Sequence, residues 1–416
     1  MRVLIVSQYF WPENFRINDL TRELVQRGYS VTVLTGIPNY PAGKVFKEFT
    51  QDPKAFAHYA GARVCRVPMF VRGSGSLRLL LNYLSFVVGA CVFGAWRLRG
   101  QGFDVIFVFE PSPVTVGLPA VFLGWLKRSP VVFWVQDLWP ETLAAVGVVR
   151  SPKVLAAIGA LVRFIYNRCA LVLGQSHGFL DNIAQYCSDV KKIRYFPNWA
   201  EEVFRSTDIV SAPEVPAQAG TFNILFAGNL GEAQDFPAVL DAAESLKNNA
   251  AIRWLIVGDG RMTEQVRNEV ARRGLAHCFL LLGRFPLERM PSFYVHADAA
   301  LVSLKRAPVF SLTIPGKVQS YLMAGIPLVG MLDGEGARVI REANAGLVCS
   351  AGDSSGLAQA VLKLSAMSKK ERNRLGENGR SYAQKEFSRE GLMGRLGEWF
   401  VELANANRQT TKEGRE

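Results

Sequence analysis

Residues Thr313–Pro327 read TIPGKVQSYLMAGIP, and Phe226–Gly231 read FAGNLG. Each follows a short apolar run and carries glycine where a strand gives way to a helix. Such a turn lets backbone N–H groups and a helix N-terminus approach an anionic phosphate. Outward from these stretches, short apolar strands alternate with helical periods along the chain, the pattern of α/β domains with parallel sheets. Strands are predicted to begin at Arg2, Ser30, Arg63, Asp104, Val131, Leu171 and Lys192, and again at Asn223, Arg253, Cys278, Ala299, Pro327 and Leu347. The stretch between Asn198 and Thr221 contains SAPEVPAQAG and predicts a linker. The fold class is therefore α/β, with a first doubly wound domain over 1–200 and a second over 201–385. The polar end of the chain, 404–416, is expected to be disordered. Ligands of such sheets bind beyond the carboxyl ends of the strands, so residues just after each strand matter most.

The chain has 416 residues, 49% of them hydrophobic and 20% charged, enough for two full cores and too apolar for disorder. Its charge is uneven: residues 1–200 hold 22 Lys+Arg against 11 Asp+Glu, while 201–416 are nearly balanced. A basic first half predicts an anionic partner, either a phosphorylated substrate or an anionic membrane face. Nucleic acid is disfavoured, because no zinc spacing, RNA-binding signature or basic helix appears. The six scattered cysteines form no CxxC and read as core residues in a reducing compartment. Met1–Val6 runs straight into a strand without the pattern of a signal peptide, which predicts a cytoplasmic protein.

Leu79–Trp96, LLLNYLSFVVGACVFGAW, holds no charged residue. That length meets the lower limit for a membrane span. A span between two strands of one sheet would separate them across the bilayer, so the segment reads as a helix packed on the sheet. It is either wholly buried or dips its aromatic end into lipid headgroups. Arg72, Arg78, Arg97, Arg99 and Trp96 are the residues expected to meet an anionic membrane.

The loop after the first strand, QYFWPENFRIN, has no Gly-rich fingerprint and argues against a dinucleotide cofactor there. Its Glu13, Asn14 and Arg16 either hold a substrate's polar groups or close a hinge loop. Asp137-Leu-Trp-Pro-Glu141 puts two carboxylates beside Trp139 at a strand end, suited to sugar hydroxyls or to proton transfer; Asp137 is alternatively a helix cap. In the second half Gly228, Asn229 and Gly231 form a turn able to approach a phosphate. Arg284 and Lys305 are strand-end cations that either meet a pyrophosphate or are solvated. Lys317 opens a helix whose amides aim at the same point, which favours a phosphate role.

Together these stretches resemble the family 4 retaining glycosyltransferases of GT-B fold over essentially the whole chain. SQYFWPENFRINDL, LTGIPNYPAGKV, WVQDLWPE, FPNWAEEVF, AGNLGEAQ and IPGKVQSYLMAGIPLVG are particularly similar to transferases that build bacterial O-antigen and capsule units, including N-acetylfucosamine transferases. The resemblance implies two Rossmann-like domains facing a cleft, with a C-terminal helix at 386–403 crossing back to the first domain. It implies a UDP-sugar donor held by Gly228, Asn229, Gly231, Arg284, Lys305, Pro315, Gly316, Lys317, Val318 and Ser320. A lipid-linked diphosphate saccharide acceptor would meet Glu13, Asn14, Arg16, Asn39, Tyr40 and Trp139. Asp137, Glu141 and Lys317 would be catalytic, with no cofactor and no metal, in an enzyme peripheral to the inner face of the bacterial inner membrane. The family's Glu-x7-Glu pair falls on Leu312 and Ser320 here, and its phosphate-binding Arg and Lys fall on Asn229 and Gln234. Those substitutions leave open a GT-B epimerase of UDP-sugars or a non-catalytic glycolipid-binding protein.

Overall fold

The computed structural model describes residues 1–73, 75–205 and 209–413. The chain divides into two compact units, Met1–Phe196 together with the chain from Leu392 onward, and Pro197–Gly391. The first unit is built on the strands β1 (Arg2–Val6), β2 (Ser30–Thr35), β3 (His58–Tyr59), β4 (Ala62–Arg66), β5 (Val105–Glu110), β6 (Val131–Val135), β7 (Leu171–Gly174) and β8 (Ile193–Tyr195). They form one sheet in the order β3-β4-β2-β1-β5-β6-β7-β8, parallel except for the β3–β4 hairpin. VIFVFE and VVFWV, the sequences of β5 and β6, are buried along their whole length. Such continuous apolar runs suit strands covered on both faces by helices. Val3 registers with Val31 on one side and Val105 on the other, so the winding reverses between β1 and β5.

The second unit carries β9 (Phe222–Ala227), β10 (Ile252–Val257), β11 (Phe279–Gly283), β12 (Ala299–Ser303), β13 (Leu328–Met331) and β14 (Gly346–Cys349). Their order is β11-β10-β9-β12-β13-β14, all parallel, and the winding reverses between β9 and β12. Every residue of β9 and β10 is buried.

Two sequence expectations need correction. The proline-rich stretch before Thr221 does not behave as a free linker, although its residues 206–208 lie outside those described. Ala200, Phe204, Ala212 and Val215 are part of the second unit's core. The Ala212 N–H donates to the Ser292 carbonyl at 2.9 Å, and Glu214 pairs with Arg289 at 2.9 Å. Spaced small apolar side chains give this segment enough surface to bury, which its overall composition conceals.

The last helix runs from Arg389 to Glu413, so the expected disordered tail is helical through residue 413. Ala404 is buried, the Asn407 side-chain amide donates to the Arg128 carbonyl at 2.8 Å, and Arg408 pairs with Asp104 at 3.0 Å. Polar side chains tie this end to the first unit. Phe400 is fully buried, its ring 5.9 Å from Phe107 and 6.4 Å from Tyr29.

The long apolar segment forms a helix from Ser76 to Gly89, a π-type turn over Ala90–Gly94 and a last turn Ala95–Arg97. Among the described residues Leu77–Arg97 is the stretch long and apolar enough to cross a membrane, with only a third of its most apolar window buried. Its inner face is packed: Phe86 and Ala90 are fully buried, and the Asn82 side-chain oxygen Oδ1 accepts from the Gln8 side-chain amide at 2.8 Å.

Phe400→Ala should lower stability by ~3–5 kcal/mol, the usual cost of deleting a buried aromatic ring. Urea unfolding followed by fluorescence checks it; an unchanged midpoint would mean that the last helix is not part of the first unit's core.

Candidate functional site

In an open parallel sheet the crevice lies where the winding reverses, beyond the carboxyl ends of the strands. In the second unit that places it after β9 and β12. Gly228 leaves β9 at φ +142°, and Gly258 leaves β10 at φ +148°. A Cβ on Gly258 would lie 1.8 Å from the Gly228 carbonyl oxygen, and one on Gly228 would lie 2.6 Å from Cε of Lys317. Only glycine at both positions lets the two turns touch and the lysine side chain pass.

Lys317 belongs to the first turn of the helix Gly316–Ala324, which Pro315 precedes. Its Nζ sits 3.9 Å from the centre of the buried Phe226 ring. No carboxylate pairs with it among the described residues, and burial pushes the ammonium down to about 7. A cation of this kind, beside the N–H groups of a helix start, is arranged to receive an anion.

Next to it a cavity of 350 Å³ is lined by Gly228, Asn229, Asp259, Gly260, Arg284 and Phe285, among others. Arg284 and Asn229 are exposed at its rim. Gly231 stands behind, its N–H donating to Gln234 Oε1 at 3.1 Å, so Gln234 pins the turn. Lys305 is exposed after β12, with its N–H on the Ala233 carbonyl at 2.8 Å, and does not line this cavity. Val318 is a correction: its side chain is fully buried in the core, and the site receives only the backbone of its turn. Ser320 is also buried, its hydroxyl 2.8 Å from Glu201 Oε2 and 3.0 Å from the Gly316 carbonyl oxygen. Sequence reasoning missed Glu201, although its place shortly after β8 in FPNWAEE offered a strand-end signal. It also missed Tyr321, whose hydroxyl accepts the Ala227 N–H at 2.8 Å and fixes the end of β9.

In the first unit the loops after β1, β2, β5 and β6 gather a polar and aromatic cluster. Glu13 is 3% exposed and accepts from the N–H groups of Phe10, Asn39 and Tyr40 at 3.0, 2.8 and 2.7 Å. Burial raises its carboxyl and these amides lower it, with burial the larger effect. Asn39, also buried, accepts from the Arg72 N–H at 2.8 Å. Both side chains thus fasten loops, where a substrate contact was expected; Asn14 is exposed and Arg16 half-buried. Arg72 is a further correction, since it does not face outward to lipid. Its guanidinium lies 3.2 Å from the Tyr9 hydroxyl and 5.3 Å from the centre of the Tyr40 ring. It is drawn inward because tyrosine hydroxyls and an aromatic face replace some of its hydration.

Asp137 accepts from the Thr142 hydroxyl at 2.6 Å and the Trp139 indole N–H at 3.2 Å. Burial raises its carboxyl against the effect of those bonds. Beneath it Glu110 is fully buried, one oxygen taking the Asp137 N–H at 3.3 Å and the other without a partner among the described residues. Burial first, and then the charge of Asp137, push Glu110 well above the usual carboxylate range. Glu141 turns away to the Tyr186 hydroxyl at 2.8 Å. Tyr83 links the two groups, its ring 6.3 Å from that of Trp139 and its hydroxyl bonded to Arg72, while Glu141 is left on its own partner.

Comparison with known proteins agrees with this geometry. Residues 14–199 match the model of the glycosyl transferase 4-like domain, and residues 221–367 match that of glycosyl transferases group 1. The chain is a glycosyltransferase of GT-B fold. It is 27% identical over 325 residues to the probable glycosyltransferase WbjE of Pseudomonas aeruginosa, covering 76% of this chain and 79% of that one. It is 25% identical over 343 residues to the putative colanic acid biosynthesis glycosyl transferase WcaI of Escherichia coli K12, covering 78% and 82%. Among solved structures, HepE of Anabaena in complex with UDP and glucose superposes with a TM-score of 0.67 at 15% identity, over 96% of this chain and 99% of that one.

Lys317→Ala should weaken binding of inorganic pyrophosphate roughly 10- to 150-fold, since a charged hydrogen bond contributes about 1.5–3 kcal/mol. The free lysine loses its proton near pH 7, and a bound anion favours the protonated form. Affinity of the native protein should therefore hold below pH 7 and fall as pH rises above it, with proton uptake on binding. Calorimetry in buffers of different ionisation enthalpy checks this; no buffer dependence at pH 8 would remove Lys317 from the site.

Proposed function

We propose that this enzyme moves a sugar from a UDP-sugar to a lipid-linked diphosphate saccharide, with retention of configuration and without a metal ion, in assembly of a bacterial surface polysaccharide. The donor sugar would be N-acetylfucosamine or a related amino sugar. The observation that carries the reading is Lys317, an ammonium without a carboxylate partner among the described residues, set at a helix start where two glycine turns meet. The UDP bound to HepE of Anabaena and the colanic acid role in the name of WcaI support the donor class and the setting.

Transfer breaks the bond between the sugar's anomeric carbon and the terminal phosphate oxygen of UDP. Negative charge grows on that oxygen, and Lys317 with the N–H groups at the start of the helix Gly316–Ala324 would stabilise it. Arg284 at the cavity rim would be the second cation. The acceptor hydroxyl attacks on the face the leaving group vacates and gives its proton to the departing phosphate, so no separate protein base is required. In the first unit Asp137 would accept a hydrogen bond from an acceptor hydroxyl, with Trp139 beside the sugar and Arg72 toward the acceptor's diphosphate.

Incubation with a set of UDP-sugars and an undecaprenyl diphosphate-linked sugar, read by mass and by the anomeric NMR signal, tests the reading. One UDP-sugar should extend the acceptor with retained configuration, at full rate in EDTA. Hydrolysis or epimerisation of the UDP-sugar without acceptor would refute transfer. Asp137→Asn should lower kcat/KM for the acceptor roughly 10- to 150-fold, the worth of a charged hydrogen bond at about 1.5–3 kcal/mol, and leave UDP affinity unchanged. Loss of UDP binding in that variant would count against its assignment to the acceptor.

A further inference from the structure

We propose that the second unit holds a binding site for a small phosphorylated sugar or polyol, at the end of its sheet opposite the crevice. A cavity of 490 Å³ opens there, bounded by the residues that lead into β12 and β13 and by the first turns of the helix Lys369–Glu386. That volume is in the range of small-molecule sites. Along the helix Lys369, Arg372, Gly376 and Arg380 recur every three or four residues, so they share one face. Gly376 lies where that face meets the end of the helix Gly316–Ala324. A Cβ on it would sit 2.0 Å from the Gly325 carbonyl oxygen, so glycine lets the two helices close together. Lys369, Arg372 and Arg380 all line the cavity.

The charges there do not balance. Among the described residues Asp298 is the one carboxylate that lines the cavity, and it is already engaged. One oxygen pairs with Arg372 at 3.3 Å and the other accepts the Asn223 N–H at 3.0 Å. Lys369 and Arg380 have no carboxylate partner among the described residues, and both are exposed. Arg380 is nevertheless held in place. Its guanidinium donates to the Ala324 carbonyl at 2.8 Å, and a Cβ on Gly325 would lie 2.7 Å from the same group. A fixed guanidinium with donors to spare, beside a second free cation, suits a phosphate. The rest of the wall suits the hydroxyls and carbons of a sugar. His296 Nε2 lies 3.1 Å from the Ala212 carbonyl oxygen, which can only accept. Nε2 therefore carries the hydrogen, and Nδ1 of the neutral ring is an acceptor for a hydroxyl. Asn373 offers an amide, while Phe204 and Tyr294, stacked 4.9 Å apart, give an apolar side. An inorganic ion alone would leave that side unused.

Calorimetry with glucose 1-phosphate tests the site, using the full chain with Lys317→Ala so that the crevice is weakened. One equivalent should bind, several-fold tighter than inorganic phosphate. Asn373→Glu, added to that protein, sets a negative charge in the cavity without removing any charged partner. It should weaken glucose 1-phosphate roughly tenfold or more and leave the melting temperature unchanged. Lys369→Ala with Arg380→Ala should weaken it at least as much, through the loss of charged hydrogen bonds. UDP should not displace the sugar phosphate. Neither donor nor acceptor enters these measurements, so the result stands apart from the reading of sugar transfer. The proposal is overturned if glucose 1-phosphate does not bind, or binds no tighter than inorganic phosphate. It is overturned too if neither variant lowers the affinity, or if UDP competes for the site.

Discussion

An ammonium group held over an aromatic ring at the end of a parallel strand organises the second unit. Phe226 is the last large residue of β9, and its ring gives Lys317 a face to rest on where no carboxylate is paired with it. A salt bridge there would have neutralised the cation and given a stable but inert site. The ring attracts the charge without cancelling it, so the site stays receptive to anions. Other features follow from keeping that lysine in place. Gly228 leaves room for its stem, Gly258 lets the neighbouring turn close on Gly228, and Tyr321 ties the end of β9 to the helix that carries it.

The first unit uses the opposite electrostatic arrangement. Two carboxyl groups, Glu110 and Asp137, lie at the ends of adjacent strands, one beneath the other, and each is pushed upward chiefly by burial. Like charges so placed resist ionising together, so the more deeply buried Glu110 is held toward its neutral form. Arg72 nearby is engaged by tyrosines, leaving the carboxyls a polar but weakly charged surrounding. Hydroxyl groups suit the two carboxyls themselves better than a phosphate would.

Most strands were legible because they are short apolar runs ended by glycine, proline or a polar residue; VVFWV and IRWLIV admit few other readings, whereas the two-residue β3, His58–Tyr59, carries no such run and was missed. Lys317 was legible because a strand-to-helix turn announces its position. Glu201 was not, because its bond to Ser320 joins residues 119 positions apart that no local pattern links. Arg72 and Glu13 misled for a related reason: a charged residue beside a loop reads as available until the loops close around it. The stretch before Thr221 misled by composition, since proline and alanine serve a linker and a packed surface segment equally well.

The last helix has a bearing on the order in which the protein is made. The first unit is discontinuous: Phe400 fills the space against Phe107 and Tyr29, almost the full length of the chain after them. Domains generally fold as they leave the ribosome, the earlier one first. Here the second unit, continuous from Pro197 to Gly391, has all of its residues outside before the first can be completed. Until the residues around Phe400 have emerged, the face of the first sheet that awaits them stays open. A prematurely ended chain would thus carry a finished phosphate site on the later unit and an unfinished earlier one.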